Sequence, residues 1–231
     1  MIANKINEFV IENLNGEYER DQPGKINLNI NQCFKKAFYL YHNVEKKYKK
    51  ETKILIAEKV FKAKEYDETI YHVFENKCSG KMEFKYNENF HNDNLKNIVG
   101  SIDSIVRIYD EKVLVKYFFP TNNMYTNLAK FKKIPGRFYR ELQLLMYLFE
   151  LQKTVVLYKA NDLGAGMNEM IINYNDGIID DLINKLYEKV RIVSSTEEPK
   201  VKFNGWDSVC MHCPFAYKCR EKYSKPKNKY N

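Results

Sequence analysis

The sequence contains few of the residues that interrupt regular structure and few of those that cross-link it. Its 231 residues include nine glycines and six prolines, so we expect long helices and strands joined by short loops. Five cysteines are too few for a disulfide-stabilised scaffold at this length, and their number is odd. A small secreted disulfide-rich protein is therefore excluded.

Long uncharged apolar runs are also absent. The best candidate, residues 142–157, contains Glu150 and Lys153, and charged residues recur every few positions in residues 1–21. The first observation excludes a membrane-spanning helix, and the second excludes a secretory signal peptide. We therefore expect a soluble, cytoplasmic protein without a membrane partner, whose cysteines are reduced thiols or metal ligands.

The overall composition is that of a folded protein with an excess of basic residues. Hydrophobic residues make up 44% and charged residues 29%, which is enough apolar material for a sizeable core and excludes general disorder. Lys and Arg number 38 against 30 Asp and Glu, a net charge of +8. This balance favours a polyanionic partner, but it does not distinguish nucleic acid from a membrane surface.

Apolar periodicity predicts an α/β protein with a mixed sheet and helices on its faces. The expected elements are an extended segment that enters a helix near Cys33 (26–41), helical spacing in 53–76, strands 97–109 and 113–119 joined by a turn at 110–112, a helix at 136–152, strands at 154–158 and 170–174, a helix that opens with Asp176 (176–191), and a loop-rich end with a basic tail (223–231).

Three cysteines near the C-terminus have the spacing of a metal site. Cys210, Cys213 and Cys219 form a C-x2-C-x5-C pattern, and two thiolates separated by two residues can bind one metal from a tight turn. A fourth ligand is expected from Cys33, Cys78 or His212. Chance clustering is the alternative, and the spacing does not separate zinc from an iron–sulfur cluster. In either case the metal would be structural.

Charged and polar residues in apolar segments are candidates for a catalytic site. Asp103 and Lys116 lie in the two strands of the predicted hairpin, which would bring them to a common cleft. The alternative is a pair of edge-strand charges that face solvent. Gln143 and Tyr147, four residues apart, share a helix face, although in isolation the pair favours a structural reading, with Tyr147 in the core and Gln143 solvated. His72 alone would be structural.

The order of these residues resembles the RecB-like branch of the PD-(D/E)XK nucleases. It is more closely similar to the CRISPR-associated RecB-like exonuclease family that carries a four-cysteine iron–sulfur cluster, or to a stand-alone or viral relative. The segments INQCFKKAFYL and CMHCPFAYKC resemble the cysteine motifs of that family. The resemblance implies a restriction-endonuclease-like core with an iron–sulfur cap. The cap would be formed by the cluster-binding segments 26–45 and 200–222, within a single nuclease-like domain, 1–231.

The resemblance also implies a chemistry and assigns residues to it. His72 and Asp103 would bind Mg²⁺ or Mn²⁺, Lys116 would orient or deprotonate the attacking water, and Gln143 and Tyr147 would brace the site and the DNA backbone. A 4Fe-4S cluster would be held by the four cysteines of the two motifs, which leaves Cys78 free: Cys33, Cys210, Cys213 and Cys219. The implied partners are DNA with a single-stranded segment and CRISPR adaptation proteins.

One position departs from the family pattern. The family has an acidic metal ligand two residues before the lysine, and this sequence has Leu114 there. The residues Asp110-Glu111-Lys112 supply a D-x-K only in the predicted turn, and Glu75 or Glu141 would have to provide a carboxylate from elsewhere. The sequence therefore predicts a metal-dependent DNA exonuclease. The alternatives are a weakened relative that binds DNA or a partner without cutting, and an unrelated zinc-stabilised nucleic-acid-binding protein.

Overall fold

The described elements of the computed structural model run in the order strand, helix, five strands, two helices, two strands and three helices. The strands are β1 (Ile26–Asn27), β2 (Lys81–Phe84), β3 (Glu88–His91), β4 (Ile98–Ile102), β5 (Ser104–Ile108), β6 (Glu111–Phe118), β7 (Lys153–Tyr158) and β8 (Asn168–Asn173). The helices are α1 (Phe34–Tyr41), α2 (Asn122–Phe131), α3 (Gly136–Leu148), α4 (Ile179–Val193), α5 (Ser208–Met211) and α6 (Ala216–Tyr223). The structure describes residues 24–28, 32–49, 52–56, 65, 68, 72, 81–84, 88–91, 98–102, 104–108, 111–118, 120, 122–159, 167–200 and 208–223.

The chain divides into two compact units. The sheet unit consists of Asn27–Asn31 and Lys59–Tyr187, and the cysteine unit consists of Met1–Ile26, Gln32–Glu58 and Glu188–Asn231. Most of the expected cluster-binding segments, residues 32–45 and 200–222, belong to the cysteine unit. The single domain over 1–231 stays a prediction.

The sheet unit is built on a five-stranded sheet with the order β2-β5-β6-β7-β8. Strands β6 and β7 pair in parallel, and the other neighbours pair antiparallel. Strands β1, β4 and β3 form a second sheet in that order. The mixed sheet confirms the predicted α/β class.

The central strand β6 is buried on both faces. Its residues from Val113 to Tyr117 are all buried, as expected for an apolar strand that is covered on both sides. In β7, by contrast, buried residues alternate with half-buried ones, so only the face with Thr154, Val156 and Tyr158 is fully covered.

Helices α2 and α3 pack near the carboxyl ends of β6 and β7. The rings of Tyr125 on α2 and Tyr158 on β7 lie 6.0 Å apart between centroids, and those of Phe138 on α3 and Phe118 on β6 lie 4.8 Å apart. Helix α3 begins directly after Pro135, which fits the first turn because it lacks an amide N–H. Its apolar residues, Leu142, Leu144, Leu145 and Met146, are buried.

The cysteine unit has two small apolar clusters around α1. Phe38, Tyr39 and Leu40 pack with Phe215, while Ala37 packs with Ile26 and Val193. A tilted ring contact of 5.3 Å between the Tyr39 and Phe215 centroids joins α1 to the residues directly before α6. Burial of these side chains holds the segment after Cys33 against the C-terminal segment.

Several predicted elements are confirmed and others are wrong. Helix α3 and strands β7 and β8 agree with prediction within a few residues, as does the extended segment entering α1. The residues described between 53 and 76 (53–56, 65, 68 and 72) are helical. The predicted strand 97–109 is wrong as one element, because β4 and β5 belong to different sheets.

One boundary was misplaced and another was confirmed. Glu111 pairs with Ile108 and Lys112 with Arg107, so both belong to β6 rather than to a three-residue turn. The last predicted helical segment begins at Asp176 as expected, with a 3-10 turn, Asp176–Ile178, that runs directly into α4 and is capped by Asn175. Its side-chain oxygen accepts a hydrogen bond of 3.0 Å from the Gly177 amide.

No helix in the described parts of the chain is both long enough and apolar enough to cross a bilayer.

Candidate functional site

Lys116 is a buried cation in the central strand of the sheet unit. Its side chain is only 6% exposed, and its register partner in the parallel pair is Val156 on β7. Tyr117 and Val115, on either side of it in β6, are also buried. Because burial of an ammonium group is costly and buried charges concentrate at functional sites, its position marks a candidate functional site.

Leu114 lies on the same face of β6 as Lys116. Residues two apart in a strand share a face, and Leu114 is fully buried between its register partners Ile105 on β5 and Thr154 on β7. The hydroxyl of Thr154 is buried and has no hydrogen-bond partner among the described residues. The position where the resemblance implies an acidic ligand is thus packed as apolar core.

Of the two implied metal ligands, the structure describes His72 but not Asp103. Asp103 lies outside the described residues, although the next residue, Ser104, pairs with Val115, the neighbour of Lys116. His72 is helical and its side chain is exposed. Glu75 and Cys78 also lie outside the described residues. The meeting of Asp103 with Lys116 therefore stays a prediction.

The alternative D-x-K lies at the other end of β6. Glu111 and Lys112 are exposed, and the Glu111 carboxylate forms an ion pair of 2.6 Å with Lys153 at the beginning of β7. Lys112 and Lys116 are four positions apart in an extended strand, a span of roughly 13 Å. Glu111 therefore stabilises the beginning of the β6–β7 pair, and neither Glu111 nor Lys112 lies close to Lys116 along the strand.

Gln143 is fully buried on α3, and both ends of its amide are used. Its Nε2 donates a hydrogen bond of 3.0 Å to the carbonyl oxygen of Asn173, and its Oε1 accepts one of 2.8 Å from the amide of Asn175. Gln143 therefore fastens the end of β8 to α3. This structural contact could not be read from the sequence, because the partners are backbone groups about thirty residues away.

Tyr147, one helical turn after Gln143, is half exposed. Burial, together with the Asp176 carboxylate, raises the pKa of the neighbouring Tyr174, and Tyr147 adds a smaller contribution in the same direction. Tyr147 is thus a solvent-exposed residue of α3 that acts electrostatically on Tyr174, the residue directly after β8. Its role in bracing a nucleic-acid backbone stays a prediction.

Four free cysteines come together in the cysteine unit. Cys33 precedes α1, Cys210 is in α5, Cys219 is in α6, and Cys213 lies in the turn between these two helices, where its amide donates a hydrogen bond of 3.3 Å to the Cys210 carbonyl. Each is partly buried, and Cys213 and Cys219 pack against the cluster of Phe38, Tyr39, Leu40 and Phe215.

The thiols are close enough to alter one another's ionisation. Burial raises the pKa of Cys213 and of Cys219, and the thiols of Cys33 and Cys210 raise both further. Lys36 opposes the rise at Cys213, and Lys35 opposes it at Cys219. In the described part of the chain, however, no three His, Cys, Asp or Glu side chains form a group arranged to hold a metal ion.

His212, the alternative fourth ligand, is occupied elsewhere. Its side chain is exposed, and its Nδ1 lies 3.3 Å from the hydroxyl of Thr52.

Two buried lysines accompany the cysteines, and sequence reasoning missed both. The Lys35 ammonium lies 3.1 Å from the Glu198 carboxylate, and Lys189, fully buried on α4, donates a hydrogen bond of 3.3 Å to the side-chain oxygen of Gln32. A signal for Lys189 was present, because it follows Leu182 and Leu186 on the apolar face of α4.

Comparison of the fold with solved structures identifies similar proteins, whereas sequence comparisons do not. No family model matches the sequence, and no curated protein matches it. The structure of LHK-Exo in complex with dAMP aligns with a TM-score of 0.59 and 10% identity, covering 77% of this chain and 92% of that one. The chain shares its fold with LHK-Exo.

A second protein, SSO0001, aligns over nearly the full length of both chains. The TM-score is 0.58 with 16% identity, and the alignment covers 96% of this chain and 99% of that one. Another structure of LHK-Exo, an alkaline exonuclease from Laribacter hongkongensis, gives a TM-score of 0.49 with 11% identity over 74% of this chain and 89% of that one. Because the sequence identities are low, the alignments with SSO0001 and with the dAMP complex of LHK-Exo show a shared fold alone.

Proposed function

We propose that this protein is a metal-dependent nuclease of the RecB-like PD-(D/E)XK type that hydrolyses DNA from an end. The observation that carries the proposal is Lys116, a buried cation on the central strand of a fold shared with LHK-Exo. That protein was crystallised with dAMP, a nucleotide of the kind that digestion of DNA releases. The RecB-like motif order of the sequence supports the same assignment.

Lys116 is the residue to which we assign the phosphate chemistry. Hydrolysis of a phosphodiester adds negative charge to the phosphate oxygens as water attacks, and an ammonium group in a largely dry site stabilises that charge. Lys116 would also orient the attacking water by donating a hydrogen bond to it. Leu114, on the same face of β6 as Lys116, is fully buried and limits solvent beside the ammonium group, which strengthens both interactions.

The proposed metal site is incomplete in the described residues. His72 and Asp103 would hold Mg²⁺ or Mn²⁺, which supplies polarisation of the phosphate and activation of water when bound. Leu114 contributes no oxygen ligand, and hard divalent cations prefer oxygen donors. We therefore expect weak metal binding.

The resemblance assigns a 4Fe-4S cluster to the four thiols of the cysteine unit, although the described residues form no group arranged to hold a metal ion. Such a cluster takes four cysteine ligands, and Cys33, Cys210, Cys213 and Cys219 belong to one compact unit with Lys35 and Lys36 near enough to offset negative charge. The cluster would fasten the segment around Cys33 to α5 and α6. Zinc on the same ligands is the alternative that iron analysis distinguishes.

A second function, binding DNA without cutting it, is favoured by Leu114 alone. Leu114 is fully buried at the position where the resemblance implies a carboxylate. A protein that kept the fold but lost the metal would have such a residue there. CRISPR adaptation proteins remain the proposed partners for either function, on the strength of the sequence resemblance.

The proposed hydrolysis is tested with end-labelled single- and double-stranded DNA in Mn²⁺ or Mg²⁺. We expect stepwise shortening by the wild type and a loss of at least about 100-fold in Lys116→Met, since the charge stabilisation disappears while the methylene chain is largely kept. Lys112→Met is the matched control, because it changes an exposed lysine of the same strand. Equal cutting by Lys116→Met and wild type would refute the assignment of Lys116, and a wild type that binds DNA without cutting it would favour the second function.

The proposed cluster is tested separately, on protein purified without oxygen. About four iron atoms per chain and an absorbance band at about 400 nm would support it. Zinc without iron would refute it.

A further inference from the structure

The junction between α2 and α3 is strongly basic. From 130 to 140 the sequence has five Lys or Arg residues and no acidic residue, and no Asp or Glu occurs anywhere between Glu111 and Glu141. Lys130, Lys132 and Lys133 are exposed. None of the three forms a salt bridge with a described residue.

An exposed aromatic ring stands among these charges. Phe131 is 56% exposed at the end of α2, and the Lys130 ammonium lies 5.2 Å from the centroid of its ring. A single lysine at this end of the helix would complement the helix dipole, but that role needs neither the further lysines nor an exposed phenyl ring. Flat rings beside cations are what proteins use to stack bases and hold phosphates of a single strand.

The junction is fixed to the same end of the sheet as Lys116. Phe138, just beyond the lysines, contacts Phe118, which lies two residues after Lys116 on the same face of β6. On the other side, Tyr125 of α2 contacts Tyr158 at the end of β7, and the Tyr125 hydroxyl accepts a hydrogen bond of 3.2 Å from Asn168. These contacts anchor both helices that flank the junction to the carboxyl ends of β6 and β7.

We propose that the α2–α3 junction is a binding site for single-stranded DNA that delivers the strand to Lys116. Lys130, Lys132, Lys133 and Arg137 contact successive phosphates, and Phe131 stacks on a base. The role of the bound strand as a substrate rests on the proposed nuclease function. The binding of the strand by the junction does not depend on that function. A membrane surface is a poorer match, because one exposed ring offers little apolar area for insertion.

The phosphate contacts are tested by the salt dependence of binding. Fluorescence anisotropy with labelled oligothymidylate, in EDTA to prevent hydrolysis, gives the affinity at a series of NaCl concentrations. In the triple variant Lys130→Gln, Lys132→Gln, Lys133→Gln we expect the slope of log K against log salt to decrease in magnitude by about 2, from about 0.7 for each lost phosphate contact. The control, Lys112→Gln, Lys185→Gln, Lys200→Gln, removes the same charge elsewhere, and equal slopes for the two triple variants would overturn the proposal.

The stacking contact is tested by Phe131→Ala, with Tyr187→Ala as a control at another exposed aromatic residue of the sheet unit. We expect Phe131→Ala to weaken binding of oligothymidylate about 5- to 150-fold and that of a duplex much less, because duplex bases are already stacked. Affinity unchanged from wild type would overturn the role of Phe131. Thermal melts of every variant establish that the fold is retained.

Two further outcomes separate this inference from the proposed function. If Lys116→Met abolishes cleavage while the junction variants bind DNA as the wild type does, the nuclease function stands and the junction proposal fails. If the junction variants lose DNA binding but the wild type never cuts, the binding site stands and the nuclease function fails. Loss of binding to phosphatidylserine vesicles with DNA binding unchanged would also overturn the proposal.

Discussion

Leu114 and Lys116 share one buried face of β6, but one side chain is apolar and the other is charged. Lys116 requires groups that compensate its charge, whereas Leu114 packs fully buried between Ile105 and Thr154. Thr154 is the register partner of Leu114 on β7, and its hydroxyl has no hydrogen-bond partner in the described part of the chain. A polar side chain at position 114 would therefore lie near both a hydroxyl and an ammonium group.

The variant Leu114→Glu tests what this residue does to activity. Replacement of a buried leucine by a carboxylate should destabilise the fold by about 1–3 kcal/mol, reduced in part by Lys116 and Thr154. It should also strengthen Mn²⁺ binding and increase DNA cleavage, since it adds an oxygen ligand. Leu114→Gln is the control of equal shape without charge. Cleavage that is no higher in the Glu variant than in the Gln variant would count against a metal site at this position.

Tyr174 provides a residue whose ionisation reports on the end of β8. Its pKa is raised by burial and by Asp176, so the folded protein holds this proton more tightly than the unfolded chain does. The resulting stability is present at neutral pH and is lost as the pH rises through the pKa of the tyrosine. We expect Asp176→Asn to lower the Tyr174 pKa toward its ordinary value. NMR titration of ring-labelled tyrosine, assigned with Tyr174→Phe, measures it, and an unchanged titration would exclude Asp176 as a cause.

At the scale of elements, the parallel pair of β6 and β7 organises the sheet unit. An ion pair between Glu111 and Lys153 joins the beginnings of the two strands, and α2 and α3 rest on their ends through Tyr158 and Phe118. Gln143 then connects α3 to the residues after β8. The edge strand β8 is thus held by β7 on one side and by a buried amide at its end.

The hydrogen bonds of Gln143 predict a loss of stability when its amide is removed. Gln143→Leu leaves the Asn173 carbonyl and the Asn175 amide without this partner, so we expect a destabilisation of about 2 kcal/mol or more in urea unfolding. Hydrogen exchange should increase at 168–175 and remain unchanged at 113–117. If cleavage falls far more than the folded fraction does, Gln143 acts on the substrate as well, as the resemblance implies.

The elements that could be predicted from the sequence are those whose pattern is local. Helix α3 follows a proline and has apolar residues at helical spacing, and β7 (KTVVLY) is a short run rich in β-branched residues. Helix α2 (NNMYTNLAKF) was missed because its apolar residues are few, and the contacts of Tyr125 and burial of Leu128 stabilise it. The continuous apolar character of 97–109 could not reveal a change of sheet, because that depends on pairing with distant strands.

The candidate site was predictable to a similar extent. Lys116 and the cysteines of the C-x2-C-x5-C pattern were identified because a charge in an apolar strand and a short cysteine spacing are visible without a fold, whereas Cys33 was assigned by the family resemblance. The buried lysines of the cysteine unit and the backbone partners of Gln143 were not, since each depends on residues brought together from distant segments.

At the scale of the whole molecule, the two compact units separate the candidate chemistry from the candidate metal cluster. Lys116 belongs to the sheet unit, whereas Cys33, Cys210, Cys213 and Cys219 belong to the cysteine unit. The apolar clusters of the cysteine unit are small, and metal binding supplies folding free energy to units of this kind. A bound metal would therefore act on the stability of the cysteine unit.

Loss of one thiol ligand should then loosen the cysteine unit alone. In Cys213→Ser we expect faster amide hydrogen exchange at 33–49 and 208–223, because the metal no longer fastens α1 to α5 and α6, while exchange at 113–117 and 154–158 stays at the wild-type rate. Cys78→Ser is the matched control and should leave both regions and the metal content unchanged. Hydrogen exchange followed by mass spectrometry, with metal analysis of each sample, measures these effects. An increase that is equal in β6 and β7 would mean that the cysteines stabilise the whole chain, and no increase in either unit would mean that they hold no metal.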